Sequence, residues 1–525
     1  MDTDVLIVGA GPTGLMLANQ LVRRGVRTTL IDRHAGPARE TRALGVQART
    51  LEIYAHLGIV ERAIELGKIA TGANIWAEGR WMARVPLSDA GEHVTPYPYI
   101  LVLGQDDNER IMGDRLLASG LSVQWNTELT DLEQHADRVT ATMVQRDGTR
   151  RTMDASWVAG CDGAHSMVRE RTAITFPGAP YEHVFFVADT ETTGDMVADQ
   201  VNVYLWRDGF HLFFPMRGEN HWRIVGILPE GLRDRKDVRF DDVIPSLRSE
   251  AGELHFHGCS WFSTYRIHHR SASRFRDRRC FLLGDAAHIH SPMGAQGMNT
   301  GLQDAYNLGW KLALVTAGRA DATLLDSYEA ERMPVAERLL NTTDRAFRLV
   351  VSDSRLAELL RTKILARIAA FAMARKPVQR FAFRVVSQTG IHYRASTLSQ
   401  SQAGLPKDAP RGGDRFPWLR LRLGSDETTT DLYASLDDTR FNLLLAGQRP
   451  PDPGLAGFPD LLTVSTIPTD PHNDEELARA RIPPLSFYLL RPDGHVGLCG
   501  ERLEPVTLTR YLSERVFMRS AMTAA

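Results

Sequence analysis

The chain lacks the features that mark several large functional classes. Its four cysteines, Cys161, Cys259, Cys280 and Cys499, lie far apart in 525 residues and form no C-x-x-C pair. That spacing indicates neither a zinc site nor a disulfide framework. No basic segment precedes the first apolar stretch, and no apolar run approaches the ~18 residues of a membrane span. The formal charge is only −2, with acids and bases spread throughout, which argues against a nucleic-acid or membrane-surface partner. No internal repeat is visible. These absences leave a soluble chain expected in the reducing cytoplasm. With 43% hydrophobic residues it can bury large cores, as two or three domains.

The N-terminus carries the first positive signal. Asp4-Val5-Leu6-Ile7-Val8 reads as a buried strand running into Gly9-Ala10-Gly11-Pro12-Thr13-Gly14. A helix from Leu15 to Arg24 follows, closed by Gly25, and then a strand over Thr28–Ile31 that ends in Asp32. Strand, G-x-G-x-x-G, helix, strand and acid make a complete dinucleotide fingerprint. The glycines let backbone approach a pyrophosphate, the helix N-terminus faces its charge, and Asp32 can accept from an adenosine ribose. The pattern does not distinguish NAD from FAD, since both present an ADP half.

A second signal lies near the middle. The apolar run Cys280-Phe281-Leu282-Leu283 reads as a strand leading into Gly284-Asp285-Ala286-Ala287-His288, Ser291-Pro292 and Gly294-Ala295-Gln296-Gly297-Met298-Asn299-Thr300. Leu302, Ala305, Leu308, Leu312 and Val315 then recur at helical spacing, so a helix starts near Met298-Asn299. Such a bare helix end carries about half a positive charge and unpaired N–H groups, a seat for an anion. Between the two signals, Glu40 to Leu51 opens a helix carrying Arg42 and Arg49, short strands within 72–103 lead to Gln105, and residues 123–145 suggest an antiparallel extension. A strand ending at Gly160 gives way to Cys161-Asp162-Gly163-Ala164-His165-Ser166-Met167-Val168-Arg169.

In this order, G-x-G-x-x-G, C-D-G-x-x-S-x-V-R and G-D-A-A-H-x-x-x-P-x-G-x-Q-G-M-N, the chain resembles the FAD-dependent aromatic hydroxylases over roughly residues 1–350. These are flavoprotein monooxygenases of the para-hydroxybenzoate hydroxylase class. The longer layout is similar to the phenol hydroxylase, polyketide hydroxylase and rifampicin monooxygenase branch.

The resemblance implies an α/β fold: a Rossmann-type FAD-binding domain, an inserted antiparallel substrate-binding sheet and a C-terminal thioredoxin-like domain. Residues 1–180 are expected to begin the FAD domain, with 72–103 contributing to the substrate domain. Residues 181–269 form the substrate sheet, 270–395 complete the FAD domain with a helical region, 396–415 link, and 416–525 form the thioredoxin-like domain. Lacking C-x-x-C, that last domain is expected to pack or make subunit contacts rather than do thiol chemistry.

The resemblance further implies that NADPH or NADH reduces FAD, and that the reduced flavin and O2 form a C4a-hydroperoxide that oxygenates a phenolic or polycyclic aromatic substrate. It assigns Gly9, Gly11, Gly14, Asp32, Arg33, Arg42, Gln105, Asp162, Arg169, Asp285, Gly297, Met298 and Asn299 to cofactor binding. Pro292 and the Gly297 backbone are placed at the reactive flavin edge, with no side-chain base. A homodimer is compatible with it.

Other expectations rest on the residues. Trp206, His211, Phe213, Pro215 and Trp222 are put forward for the substrate side, subject to strand register, which a one-residue slip inverts. His288/His290 and His255/His257 form H-x-H pairs, but the first lies inside the flavin motif and no metal is expected. Arg266, Arg270, Arg274, Arg276, Arg278 and Arg279, with His268 and His269, read as a solvated face, or more sharply as a dock for NADPH phosphates. Competing functions are Baeyer–Villiger-type oxygenation on the same scaffold and a non-catalytic flavin-binding protein. Halogenation is disfavoured because W-x-W-x-I-P is absent.

Overall fold

A computed structural model describes residues 1–38, 43–77, 79–206, 209–251, 253–290, 296–351, 375–423, 428–450, 458 and 460–519. Thr3–Val8 is an inner strand of a seven-stranded sheet. It runs parallel to Thr28–Ile31 on one side and Arg150–Gly160 on the other, and Cys280–Leu282 continues the parallel order. Val5, Leu6 and Ile7 are completely buried, as an unbroken apolar strand covered on both faces should be. The antiparallel extension is Thr127–Gln134, Val139–Gln145 and Arg150–Gly160. Its first strand is therefore later than the 123–125 stretch, where Gln124 makes only a bridge to Ile31.

Two helices bring the sequence signals together. Pro12–Val22 follows the first strand, and Gly297–Thr316 follows the central motif. A Cβ on Gly309 would stand 2.8 Å from Gln20, and one on Gly301 would strike Thr13, so glycines allow the close approach. The helix expected from residue 40 begins instead at Ala48 and runs to Leu57. Gly45–Val46 ahead of it is drawn into a three-stranded sheet with Ile100–Val102 and Lys68–Ala70.

An eight-stranded sheet stands beside this unit. Its order is His288–Ile289, Leu254–Ser271, Gly178–Gly194, His221–Ile227, Gly209–Pro215, Val201–Trp206, Gly72–Ala77, Arg80–Pro86. Helix Phe240–Ala251 covers one face, packing Phe240, Val243 and Leu247 against Phe186, Tyr204, Phe213, Trp222 and Ile224. Helix Asp326–Val351 leads onward, and the further helical pattern expected to residue 375 lies outside the described residues from 352 to 374.

The C-terminal part is a five-stranded sheet ordered Gln400–Ser401, Val496–Gly500, Ser486–Leu490, Phe441–Ala446, Leu462–Ile467. Helices Pro471–Arg479 and Pro505–Glu514 accompany it. The 396–415 stretch is packed rather than loose: Leu398 is completely buried and Gln400–Ser401 joins the sheet. Among the described residues no helix is long and apolar enough to cross a membrane.

Candidate functional site

At the first cradle, Gly9 has φ +101°, where glycine alone is unstrained, and a Cβ there would lie 2.8 Å from the Asp162 nitrogen. Gly14 lies against the Gly9 carbonyl, whereas a Cβ on Gly11 would meet nothing within 4 Å. Gly11 therefore presents an open backbone face. The helix behind it starts with a proline and no side-chain cap. Asp32 accepts from the Ala10 N–H at 2.7 Å and from the His34 N–H at 2.8 Å, so its carboxylate is held across the turn. Arg33 is exposed beside it.

The second cradle starts where strand Cys280–Leu282 ends. Gly284, at φ +57°, sits so close to Thr13 that a Cβ would be 2.6 Å from its hydroxyl. Asp285 opens onto solvent, accepts no hydrogen bond from the described residues, and is ringed by enough protein that desolvation pushes its carboxyl up, against a smaller opposing effect of His288. Helix Gly297–Thr316 begins without a capping side chain. The Gln296 amide turns away to the Val385 carbonyl at 3.1 Å, and Gly297 faces open space. Met298 receives the Asn108 amide at 3.3 Å. Asn299 is buried: its oxygen accepts from the Gln47 N–H and the Thr50 hydroxyl at 2.9 and 2.7 Å, and its amide donates to the Gly45 carbonyl at 2.7 Å. Arg42 and Pro292 lie outside the described residues.

The middle motif joins the two cradles. Asp162 accepts from the Ser166 hydroxyl at 2.6 Å and the Met167 N–H at 2.7 Å, and so braces the short helix Met167–Arg171. Arg169 donates to the Ala286 carbonyl at 2.9 Å and to Ala164 at 2.8 Å, clamping the C-D-G turn onto the G-D-A-A-H turn. Gln105 opens helix Gln105–Ala118 and donates to Glu109 at 2.8 Å.

Below the second cradle is a group that the motifs did not reveal. Asp304 is completely buried; it accepts from the Gly284 N–H at 3.1 Å and from Arg332 at 2.6 Å, and lies 2.7 Å from the His288 ring. Burial works to raise its pKa, but Arg332 and His288 outweigh burial and hold the carboxyl below its usual range. His290 stands 2.8 Å from His288. A signal was present: Thr300, Asp304, Asn307 and Lys311 recur at helical spacing, a polar stripe inside an otherwise apolar helix.

The residues put forward for the substrate side all lie on one face of the aromatic sheet. Phe213 and Trp222 belong to the cluster under helix Phe240–Ala251. His211 contacts Phe186 of that cluster and stacks on Trp206 at 5.3 Å, while Pro215 shares the parity of Phe213. All five therefore project to the helix-covered face. The alternate set, Phe185, Leu205, Phe210, Leu212, Phe214 and Tyr265, faces the other way. There it meets Leu44 and Val102, next to the Gly45–Gln47 segment that holds Asn299. Val203, Leu205, Leu212 and Tyr265 on this face remain partly exposed, whereas Phe213 and Tyr204 behind it are buried.

An open turn at Gly11, an uncapped helix end and a carboxylate with no hydrogen-bond partner among the described residues suit the ends of a dinucleotide, as in the nucleotide-binding α/β proteins. Comparison with known proteins narrows this. Residues 2–343 match the family described as FAD binding domain. The chain is 34% identical to 6-methylpretetramide 4-monooxygenase of Streptomyces rimosus, over 97% of this chain and 92% of that protein. It is 31% identical to rifampicin monooxygenase of Streptomyces venezuelae, over 95% and 96% of the two chains. Anhydrotetracycline hydroxylase OxyS from Streptomyces rimosus superposes with a TM-score of 0.77 at 30% identity, covering 98% of this chain and 99% of that one. The chain belongs to this family of FAD-dependent aromatic monooxygenases.

Proposed function

We propose that the protein is an NAD(P)H-dependent monooxygenase that hydroxylates a phenolic or polycyclic aromatic compound. The observation that carries this is the juxtaposition of the uncapped Gly297 helix end and Asp285, unpartnered among the described residues, with a partly exposed apolar sheet face. Gly9, Gly11, Gly14 and Asp32, with Arg33 beside them, would hold the ADP half of FAD. Asp285 and the Gly297–Asn299 backbone would hold the ribityl and pyrimidine portion, with Gln105 nearer the phosphates. Bound FAD supplies the acceptance of hydride from NAD(P)H, the activation of O2 and the transfer of one oxygen atom. The chain positions that group, places partial positive charge at the helix end and excludes water with the apolar sheet. Phe185, Leu205, Phe210, Leu212 and Tyr265 would form the wall against which a flat substrate lies.

For the nicotinamide co-substrate, Arg270 and Arg169 share the Phe176 ring, at 5.9 and 4.0 Å from its centre. Arg270 has no acidic partner among the described residues, whereas Arg276 pairs with Asp326 and Arg279 donates to the Ala136 carbonyl. A cation with no acidic partner among the described residues, beside a second that donates to carbonyls, favours an anion such as a pyrophosphate. Arg270→Ala should raise KM for NADPH, and an unchanged value would remove this dock. The C-terminal sheet, in which the parallel pair Phe441–Ala446 and Leu462–Ile467 is continued by antiparallel Ser486–Leu490 and Val496–Gly500, supports a thioredoxin-like assignment. The activity is tested by screening aromatic compounds for stimulated NAD(P)H oxidation and a product heavier by one oxygen. If none of a broad phenol and polyketide panel stimulated oxidation by the FAD-loaded protein, the hydroxylase reading would fail.

A further inference from the structure

Buried charges destabilise a fold unless they are paired, so a dense buried set marks a contact the chain depends on. The largest such set among the described residues lies where the C-terminal sheet meets the helices behind the flavin cradle. Arg491, just past strand Ser486–Leu490, is fully buried and donates to both carboxylate oxygens of Glu331, at 2.6 and 2.9 Å, and to Asp493. Glu331 also accepts from Lys311 at 2.8 Å and from the Ser396 hydroxyl at 2.6 Å. Lys311 is itself completely buried, and burial pulls its pKa down to about 8 despite Glu331.

Two hydrogen-bonded routes lead from this set to the cradle. Glu331 is followed in its helix by Arg332, which donates to Asp304, to the Thr300 carbonyl at 3.1 Å and to the Tyr393 hydroxyl at 2.9 Å. Asp304 in turn fixes the Gly284 N–H. On the second route, the Asp493 carbonyl accepts from Arg49 at 2.6 Å, and the next residue, Thr50, donates to Asn299 at 2.7 Å. Both routes end on the backbone segments that would hold FAD, Gly284–Ala286 and Gly297–Asn299.

We propose that the C-terminal domain is an integral part of the FAD seat, with Arg491 and Asp493 as positioning residues that set the Gly284 turn and the Gly297 helix end against each other. This rests on the flavoprotein reading above. It gives the domain a role that needs no thiol chemistry.

The test uses the full-length protein and reads the FAD dissociation constant, the visible spectrum of bound FAD and its midpoint potential, with circular dichroism to monitor folding. Arg491→Met should remain folded, weaken FAD at least tenfold and shift the spectrum and potential; Arg491→Lys should recover part of each. Arg319→Ala, which removes an exposed pair to Asp460 across the same two domains, should leave FAD binding unchanged. A folded R491M with wild-type affinity and potential would overturn the proposal, as would an R319A variant that loosens FAD equally. Should R491M not fold, Asp493→Asn decides: it removes the charge that Arg491 pairs with and should weaken FAD a few-fold, and wild-type binding would again overturn the proposal. A wild-type chain that took up no FAD would refute the flavoprotein reading itself.

Discussion

Replacing Gly11 by alanine should separate the stability of the fold from its hold on FAD. Gly11 has φ −72° and ψ −176°, open to any residue, and its new methyl would meet nothing within 4 Å. Restricting the unfolded chain stabilises by about 0.4–1 kcal/mol. Alanine is a poorer helix N-cap than glycine, by roughly 0.5–1 kcal/mol. The two nearly cancel, so the apo variant should unfold within about 0.5 kcal/mol of wild type. FAD should respond differently, because the methyl fills the space through which the backbone must approach a pyrophosphate. At a concentration 100 times its Kd, FAD stabilises the wild type by about 2.7 kcal/mol. G11A should gain almost none of this, with Kd raised roughly 100-fold, as read by denaturant unfolding with and without FAD and by fluorescence titration. Equal stabilisation of G11A by FAD would refute the placement of a pyrophosphate at this turn. Gly14→Ala is the contrasting control: its methyl would strike the Gly9 carbonyl, and overpacking should cost ~3 kcal/mol in the apo protein.

Asp285→Asn should weaken FAD yet raise apo stability at neutral pH. The folded carboxyl is pushed up, so its ionisation opposes folding; the advantage of asparagine should vanish as pH falls below the ordinary value of 3.8, and an apo gain that persists in acid would contradict this. His211 is completely buried, neither ring nitrogen has a partner among the described residues, and burial lowers its pKa to about 3. Stability should therefore fall as pH drops below 6.5, by about 2 kcal/mol at pH 5, and His211→Leu should remove that slope in denaturant titrations. Phe213→Ala should cost about 3–5 kcal/mol and leave substrate preference alone. Leu212→Ala should cost less than ~2 kcal/mol and change which aromatic compounds stimulate NAD(P)H oxidation; the reverse pattern would invert the sheet faces.

The motif segments were legible because their geometry is local. A glycine that must take φ +101°, or a helix that starts just after a glycine-rich turn, leaves its mark within a few residues of sequence. The strands of the aromatic sheet were legible for the same reason, from runs such as Val201–Trp206 bounded by turn residues. Their facing was not. Alternation distinguishes two faces but cannot say which one helix Phe240–Ala251 will cover, so the packing of Phe213 and Trp222 beneath that helix could not be read from it. The start of the helix at Ala48 was misread because pairing of Gly45–Val46 with Ile100–Val102 overrides local propensity.

The sequence by itself determined that two backbone cradles exist and which residues form their turns, because those conformations are enforced by immediate neighbours. Only the tertiary structure decided what braces them. Asp304 meets Arg332, Glu331 meets Arg491 and Arg49 meets Asp493 across long separations in the chain. Buried ion pairs and charged hydrogen bonds of this kind arise where packing excludes water from distant segments at once, and no short stretch of sequence specifies that.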